Sequence, residues 1–503
     1  MSKKKGCSAA FYLFLIFGLT GFLVGCGGGS GSGTGKPPVP VIENLNSSTS
    51  PSSPASLPIE INGTGFQNAP GQVIFTQGSI TATVTPSAGG WSSTGIIAVV
   101  PTGNGTTQFT VPGTVSVSVE TSGGTSNAES LSLVPTFNFS VNNITWTTTT
   151  ALPTAMSGMR AVAVPGSTSS SAFVVVAGGY DGTKNNATVL SNAINSDGTL
   201  GPVWGAINTN PLPSARAFAG MVEADPGNSL VAVGSRFIYV IGGQQTATDT
   251  PGGTSTVFMA SVDPTSGAVG TWTQLPNSLP VPLVGPGATL FNGQIYVVGG
   301  LQTSGIPSSA IYSAPVNADG TIGAWTISAN PYPVTVAFPT VFGFAGNLYV
   351  LNGDSQNEMS PNVADLGGIT DVRYAPAAFG SVGTWNLTSS TIKNRSKQIT
   401  WLEFGQIIDA EGTYNGGATG STEFERTTVN PDSTLATWNS VTAVNAPGAN
   451  VYNATAIVSP LLTSNNVPRF LLFGGQQYVQ SGASSVLTNP LSAKVYVNNN
   501  NTP

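Results

Sequence analysis

The stretch Ile238-Tyr239-Val240-Ile241-Gly242-Gly243 joins four apolar residues to a pair of glycines. An apolar run of this length that stops at glycine is typical of a strand buried on both faces. Paired glycines permit backbone conformations and close approaches that a Cβ would block. Because the stretch recurs along the rest of the chain, it predicts a repeated, buried strand as the unit of the fold.

The copies recur together with tryptophans. Clear copies end in Gly178-Gly179, Gly299-Gly300 and Gly474-Gly475, and degraded copies end in Asn352-Gly353 and Glu411-Gly412. The tryptophans that alternate with them, spaced by 53 to 68 residues, are Trp146, Trp204, Trp272, Trp325, Trp385 and Trp438. Similar sequences precede several of these tryptophans, as in residues 197–201 and 319–323. Self-similarity at about 50 residues indicates a propeller or another repeat array.

These residues resemble kelch repeats. In that family each repeat is a four-stranded blade, with Gly-Gly at the end of the second strand and Trp in the outer strand. The resemblance implies a six-bladed kelch-like β-propeller over residues 136–503. Since Trp146 precedes the first glycine pair and no Trp follows the last one, we expect residues 137–150 to supply the outer strand of the final blade and so close the ring.

Residues 37–135 carry strand signals of a different kind. Val73-Ile74-Phe75 and the alternating Val115-Ser116-Val117-Ser118-Val119 are bounded by turn residues, and such spacing predicts a sandwich. The turn Gly63-Thr64-Gly65-Phe66 and the segments 97–101 and 123–127 resemble the IPT/TIG family of immunoglobulin-like domains. The resemblance implies a stalk or spacer. The expected fold class is therefore all-β: an Ig-like β-sandwich (IPT/TIG) followed by a six-bladed kelch-like propeller.

The amino terminus carries a secretion signal. Three lysines precede an apolar run from residue 9 to residue 24, which ends in Leu23-Val24-Gly25-Cys26. This ending resembles the lipobox of bacterial lipoproteins and implies a signal peptide over 1–25, lipidation of Cys26 and a lipid anchor in a membrane. The alternative, a transmembrane anchor, needs about 20 apolar residues. Residues 26–36 are rich in Gly and Ser and predict a flexible linker. Resemblance to Gram-negative lipoproteins favours the outer membrane.

Composition excludes several classes of function. The formal net charge is −6 with only 15 basic residues, which argues against a nucleic-acid partner. The chain has no His, and its two Cys are Cys7 and Cys26. A zinc site built from Cys and His, a Ser-His-Asp relay and kelch-type copper oxidation are therefore excluded from the body of the chain. We expect no metal and no cofactor.

Polar residues in the predicted loops are candidates for ligand binding. In kelch-like blades the loop that enters the first strand and the loop after Gly-Gly share one face. Candidates on that face are Arg160, Arg216, Arg395, Tyr180, Asp181, Gln244, Gln245, Gln302, Asp354 and Gln476. Arginine suits carboxylates, whereas amides and Tyr suit sugar hydroxyls or peptide backbone. Any one of them could instead hold its own loop or simply be solvated.

No assembled catalytic set is visible, so we expect a surface-displayed binding or adhesion protein for a glycan or an extracellular protein. Two alternatives stay open. One is a carbohydrate-active enzyme, a sialidase-like glycosidase with Glu223, Glu403 or Tyr239 as partners of the arginines, which two carboxylates about 5 to 9 Å apart would favour. The other is a structural envelope protein without a specific ligand, which a centre filled with apolar side chains would favour.

Overall fold

The structure is a computed structural model that describes part of the chain. The described residues are 36–46, 51–87, 90–134, 144–168, 170–205, 209–224, 236–247, 251–357, 367–414, 424–441, 443–444, 451–461, 469–477 and 491–498. The predicted signal peptide, Cys26, nearly all of the predicted linker and residues 137–143 lie outside them. This part of the chain is all-β, as predicted, and has no α-helix. Accordingly, no helix within it has the length and hydropathy needed to cross a membrane.

Two sheets form between residues 41 and 134, and we call them the amino-terminal sheet pair. Their strands are β1 (Val41–Leu45), β2 (Ser52–Pro54), β3 (Pro58–Thr64), β4 (Gln72–Gln77), β5 (Ile80–Val84), β6 (Gly95–Val99), β7 (Gly113–Thr121), β8 (Gly124–Thr125) and β9 (Glu129–Val134). The strand orders are β1-β3-β6 and β2-β9-β7-β4-β5, with β8 beside β7. Val115, Val117 and Val119 point inward, as their alternation predicts, and share one core with Ile59 and Ile61.

The later strands repeat one plan. They are β10 (Ile144–Thr149), β11 (Arg160–Pro165), β12 (Ala172–Ala177), β13 (Val189–Ile194), β14 (Gly220–Ala224), β15 (Arg236–Ile241), β16 (Val257–Val262), β17 (Thr273–Gln274), β18 (Gly287–Phe291), β19 (Gln294–Val298), β20 (Ile311–Pro315), β21 (Thr326–Ile327), β22 (Thr340–Phe344), β23 (Asn347–Leu351), β24 (Val372–Ala378), β25 (Ser381–Val382), β26 (Asn386–Leu387), β27 (Arg395–Ser396), β28 (Ile399–Glu403), β29 (Gln406–Ala410), β30 (Thr413–Tyr414), β31 (Phe424–Thr428), β32 (Asn439–Val441), β33 (Ala443–Val444), β34 (Val451–Tyr452), β35 (Thr455–Val458), β36 (Phe470–Phe473), β37 (Gln476–Gln477) and β38 (Val495–Asn498).

In the described residues these strands form six larger sheets. Five follow chain order: β11-β12-β13, β14-β15-β16-β17, β18-β19-β20-β21, β22-β23-β24-β25 with β26 beside β24, and β28-β29-β31-β32. The sixth has the order β33-β10-β38-β36-β35. In it β10, from the segment expected to supply an outer strand, pairs antiparallel with β38 and places Thr147 opposite Val497. The short pairs β27-β30 and β34-β37 lie outside these sheets.

The glycine pairs end the second strand of each sheet. Every residue of β12 and β15 is buried, as the apolar runs predict. Gly242 and Gly243 both have positive φ, 63° and 90°. In the degraded copies Asn352 and Glu411 take the first of these two positions with φ of 51° and 58°. The chain therefore makes the same left-handed turn where the glycine is replaced, at a conformational cost that glycine avoids.

The first strands of neighbouring sheets pack side by side. The contacts run between β35 and β11, β11 and β14, β14 and β18, β18 and β22, and β28 and β35. The hydroxyls of Thr340 in β22 and Thr400 in β28 lie 2.8 Å apart. The six first strands thus contact one another in cyclic order.

Tryptophans connect the outer part of most sheets to the segment that enters the same sheet. Among the six repeated tryptophans the indole N–H donates to a backbone carbonyl in five cases: Trp204 to Thr150, Trp272 to Asn210, Trp325 to Asn277, Trp385 to Asn330 and Trp438 to Ser389, at 2.9 to 3.4 Å. Trp146 differs, because its ring packs 5.7 Å from Trp401 and 5.8 Å from Phe424. It therefore stabilises the junction between the fifth and sixth sheets.

The amino-terminal sheet pair packs against turns of the later sheets. Glu60 Oε1 accepts a 2.6 Å hydrogen bond from the Ala345 N–H, and the Ser87 hydroxyl donates to the Pro431 carbonyl. Ile97 lies in one apolar cluster with Phe342 and other residues of the fourth and fifth sheets. These turns lie at the ends of the sheets opposite the glycine pairs. Residues 37–503 form one compact unit, within which the segment expected to act as a spacer contacts the later sheets.

Candidate functional site

Six residues in the left-handed conformation lie where the entry loops meet the first strands. They are Gly158, Phe218, Gly285, Phe338, Lys397 and Asn453, with φ between 53° and 62°. Five backbone hydrogen bonds join them between neighbouring sheets: Gly158 to Asn453, Phe218 to Gly158, Gly285 to Phe218, Phe338 to Gly285, and Asn453 to Lys397, at 2.7 to 3.3 Å. These bonds bring the six entry loops together on the side of the glycine pairs.

Buried side chains fill the space at these positions, and the two aromatic ones contact each other. The rings of Phe218 and Phe338 meet edge to face at 6.0 Å, and both belong to a buried cluster with Val284 and Leu301. The ammonium of Lys397 lies 5.0 Å from the centre of the Phe338 ring. A Cβ on Gly158 would lie 2.5 Å from the Phe218 ring. The meeting point of the entry loops is therefore a packed core.

The first residue after each glycine pair contributes to this packing. Tyr180, Gln244, Asp354 and Gln476 form backbone bridges to the entry loops at Ser157, Ala217, Ala337 and Tyr452. Gln244 and Gln476 are buried; the Gln244 amide donates to the Pro251 carbonyl, and Gln476 Oε1 accepts from Asn453. Buried Asp354 accepts from the Gln356 N–H at 2.7 Å, and the Tyr180 hydroxyl donates to the Gly182 carbonyl. These four predicted ligand-binding residues all have partners within the loops.

The second residue after each glycine pair is placed differently. Gln245 and Gln302 are exposed, and Asp181 at the same place in the first sheet is partly exposed. Burial acts to raise the pKa of Asp181, but the N–H groups of Lys184 and Thr183 outweigh it and hold that pKa below its ordinary value. Three successive sheets therefore present polar side chains to solvent at one repeated position, and the first of them is a carboxylate at neutral pH.

The three predicted arginines do not come together. Arg216 and Arg395 occupy one repeated position, which the other sheets fill with buried Met156, Leu283, Val336 and Val451. Arg216 donates to the Ser214 hydroxyl and the Ala215 carbonyl, and its guanidinium lies 4.5 Å from the centre of the Phe258 ring. Arg160 is partly buried and donates to the Met159 carbonyl. Desolvation lowers the pKa of both Arg160 and Arg216 to about 10.

Arg395 is the centre of a buried ionic cluster that the sequence analysis missed. Its guanidinium lies 3.5 Å from Asp409 Oδ2 and 3.0 Å from Glu425 Oε1, and it donates to the Glu411 carbonyl at 2.8 Å. All four residues are fully buried. Burial raises the pKa of Asp409 to about 7 and the pKa of Glu411 well above its ordinary value. The signal was present in the degraded copy 407–412, where acidic residues replace an apolar residue and a glycine.

The residues proposed as enzymatic partners of the three arginines form contacts with other groups. Glu223 forms a 2.9 Å ion pair with Arg236. Tyr239 is fully buried and donates to the Gly320 carbonyl. Burial raises the pKa of Glu403 to about 8. Within the described ranges, no three His, Cys, Asp or Glu side chains are grouped so that they could hold a metal ion.

A cleft of ≈ 190 Å³ lies beside Asp181, and we call it the Asp181 cleft. Asp181, Lys184, Asn186 and Thr188 of the loop after the first glycine pair contribute polar groups to its wall. Met156 of the entry loop contributes an apolar surface. The cleft therefore joins the two kinds of loop that the sequence predicts to share a face.

Comparison with known protein families finds no family model that matches this chain. Comparison with curated proteins finds no match either.

Proposed function

We propose that the protein is a membrane-anchored, surface-displayed binding protein whose loops after the glycine pairs hold a glycan or an extracellular protein. The observation that carries the proposal is the exposure of Asp181, Gln245 and Gln302 at one repeated position. Amides and carboxylates pair with hydroxyls and with backbone amides. Regularly spaced polar groups on loops held by a rigid framework suit an extended ligand with repeated polar groups.

For the architecture we propose an Ig-like sandwich over 37–135 and a six-bladed kelch-like propeller over 136–503. The cyclic contacts of the first strands and the pairing of β10 with β38 support this arrangement, because closing the ring removes an open sheet edge. The amino-terminal sheet pair contacts the opposite ends of the sheets through Glu60. The proposed binding face is thus separate from that contact.

For the location we propose the bacterial cell envelope, with a signal peptide over 1–25, lipidation at Cys26 and a flexible linker over 26–36. The support is the sequence Leu23-Val24-Gly25-Cys26 after a basic and apolar leader. Two acyl chains would hold the protein stably at a membrane, whereas one would not. The linker would let the folded body stand away from the lipid surface.

The experiment is a binding titration of the full-length protein, purified in a detergent without a sugar headgroup, against polysaccharides and acidic peptides. We expect a ligand that binds without turnover and that the double variant Gln245→Ala/Gln302→Ala binds at least tenfold more weakly. The matched control is Gln72→Ala/Gln108→Ala, which removes two exposed amides from the amino-terminal sheet pair. Equal affinity of the loop variant and the wild type would contradict the proposed face, and release of a cleaved product would favour the enzyme.

A structural envelope protein without a specific ligand is a second candidate function. The buried contact between Phe218 and Phe338 favours it, because these two apolar rings occupy part of the place where the entry loops meet. The same titration separates the two candidates. A structural protein would bind no member of the panel, and the loop variant would leave its stability and its location in the envelope unchanged.

A further inference from the structure

We propose that the edge strand β5 of the amino-terminal sheet pair is a self-association surface, and that it pairs antiparallel with β5 of a second copy of this chain. This goes beyond the proposed function, because it concerns a strand outside the loops after the glycine pairs and needs no ligand. Three features carry it: an open sheet edge, a strand without the devices that protect other edges, and a sequence that is complementary to itself.

The sheet that contains β5 ends at that strand. Its order is β2-β9-β7-β4-β5, and among the described residues β5 pairs with β4 alone. The pairing runs without a bulge from Gln77 opposite Ile80 to Val73 opposite Val84. In an antiparallel ladder, alternate residues of an edge strand direct their N–H and C=O groups away from the neighbouring strand. β5 therefore presents a regular row of backbone groups that another strand could join.

Other edge strands of the molecule are protected. Asn127 occupies the outer edge of β1, where its side-chain oxygen accepts from the Ile42 N–H at 2.8 Å and its amide donates to the Ile42 carbonyl at 3.0 Å. β1 also has a bulge between Ile42 and Asn44. In β13 the Ala193 carbonyl accepts from the Gly201 N–H at 3.0 Å. The outer strands β17, β21 and β26 are only two residues long. Such devices keep an edge from pairing with another chain.

The sequence of β5 contains no such device. Its five residues, Ile80-Thr81-Ala82-Thr83-Val84, include no charge and no Pro, the residue types that usually protect an edge. Four of the five are β-branched and favour a strand, and the side chains of Thr81 and Thr83 are exposed. The chain has no charged residue between Glu60 and Glu120. Two copies can therefore meet along this strand without like charges from that segment opposing each other.

Self-complementarity selects a second copy as the partner. When two β5 strands are antiparallel and centred on Ala82, Thr81 lies opposite Thr83 of the second copy, and Ile80 lies opposite Val84 of the second copy. Threonines then meet threonines on the exposed face. Apolar side chains meet on the other face, where Ile80 and Val84 pack against the core of the sheet pair. Such cross-strand pairs are favourable, and a two-fold arrangement makes each of them twice.

The test is sedimentation equilibrium of the full-length protein, without ligand, in a detergent whose density matches the buffer. We expect a reversible dimer, because an interface of one short strand from each copy is small. Thr81→Lys/Thr83→Lys places lysines opposite lysines of the second copy and should weaken dimerisation at least tenfold. Ser130→Lys/Ser132→Lys is the matched control. It adds the same charges to exposed positions of β9, which β7 and β4 separate from the β5 edge.

A charge exchange tests the register of the pairing. Thr81→Glu/Thr83→Glu alone should dimerise as weakly as the lysine variant, because glutamates then lie opposite glutamates. An equimolar mixture of the two variants should dimerise at least as strongly as the wild type, since each lysine lies opposite a glutamate. Salt should weaken the mixed dimer and leave the wild-type dimer unchanged. Circular dichroism confirms that each variant is folded.

Each outcome decides for or against the β5 edge. A wild type that is monomeric at every concentration would overturn the proposal, and a lysine variant that is then less stable to heat than the control would assign the edge to another segment of the same chain. Unchanged dimerisation of the lysine variant, or a mixture that does not recover, would also overturn it. Equal disruption by the β9 control would place the interface on the face of the sheet instead. None of these results depends on a ligand, so the proposed function is tested separately.

Discussion

The hydroxyl of Tyr239 donates a 2.6 Å hydrogen bond to the carbonyl of Gly320, which lies in the next sheet. Tyr349 donates to the Ser433 carbonyl in the same way at 2.8 Å, and the Tyr296 hydroxyl accepts from the Gly380 N–H. All three tyrosines are fully buried. Each one ties the second strand of its sheet to the turn before the outer strand of the following sheet.

Tyr239→Phe should lower the free energy of unfolding by about 1 to 2 kcal/mol, because it leaves the buried Gly320 carbonyl without its donor. Burial raises the pKa of the Tyr239 hydroxyl, and Asp319 and Glu223 add to the effect, so the hydroxyl remains a donor at neutral pH. Urea unfolding followed by tryptophan fluorescence measures the change. Tyr312→Phe is the control, since that buried tyrosine has no hydroxyl partner in the described residues. Equal effects of the two substitutions would contradict the role of the bond.

Glu60→Ala should lower the free energy of unfolding of residues 37–503 by about 1 to 3 kcal/mol, because the buried Ala345 N–H loses its acceptor. Ala345 is buried with φ of 46°, so its N–H has no access to water in exchange. Calorimetry should show that the variant unfolds at a lower temperature than the wild type. Glu43→Ala is the matched control, because Glu43 is exposed in the same sheet. A Glu60→Ala protein that melts like the wild type would show that the packed sheet pair does not depend on this contact.

The raised pKa of Asp409 predicts an unusual dependence of the free energy of unfolding on pH. Burial raises its pKa to about 7, although Arg395 and Thr400 act in the opposite direction. The folded protein therefore keeps a proton that the unfolded chain releases near the ordinary pKa of 3.8, and this group costs stability as the pH rises from about 4 to 7. Asp409→Asn should become more stable relative to the wild type across that range by a few kcal/mol, at about 1.4 kcal/mol per pKa unit.

The measurement for Asp409 is urea unfolding of both proteins at several pH values. Asp319→Asn serves as a control whose pH dependence has the opposite sign and lies at lower pH. Hydrogen bonds from Thr321 hold the pKa of Asp319 below its ordinary value of 3.8. The wild type therefore gains stability over this variant as the pH rises towards 3.8, and the difference between them stays constant from about pH 4 to 7. A difference between Asp409→Asn and the wild type that does not change with pH would contradict the assignment.

Trp146→Ala should lower the free energy of unfolding by about 3 to 5 kcal/mol, because the ring is buried against Trp401 and Phe424. Removal of residues 137–150 should unfold the later sheets cooperatively, since it deletes the partner of β38. Trp325→Ala is a control with a smaller expected loss, because that ring is only partly buried. An unchanged melting temperature after the deletion would refute the proposal that β10 closes the ring of sheets.

Local patterns in the sequence were sufficient for the class of fold and for the repeated strands. Four apolar residues before a glycine pair require a buried strand and a left-handed turn, and both requirements concern neighbours in the chain. The prediction therefore matched β12, β15 and β19, and the same turn forms at Asn352 and Glu411 in the degraded copies. The alternation of Val115, Val117 and Val119 likewise indicated which face would be buried.

Tertiary structure alone decided which polar residues face solvent. Gln244 and Gln245 are adjacent and identical in chemistry, yet one is buried and the other exposed, because only the first bridges to the entry loop at Ala217. Arg216 and Arg395 are buried because their position packs between sheets, and Arg395 meets Asp409, Glu411 and Glu425 there. The contact of Glu60 with Ala345 joins residues far apart in sequence. Such partners are brought together by the packing of whole sheets, and no local periodicity encodes that packing.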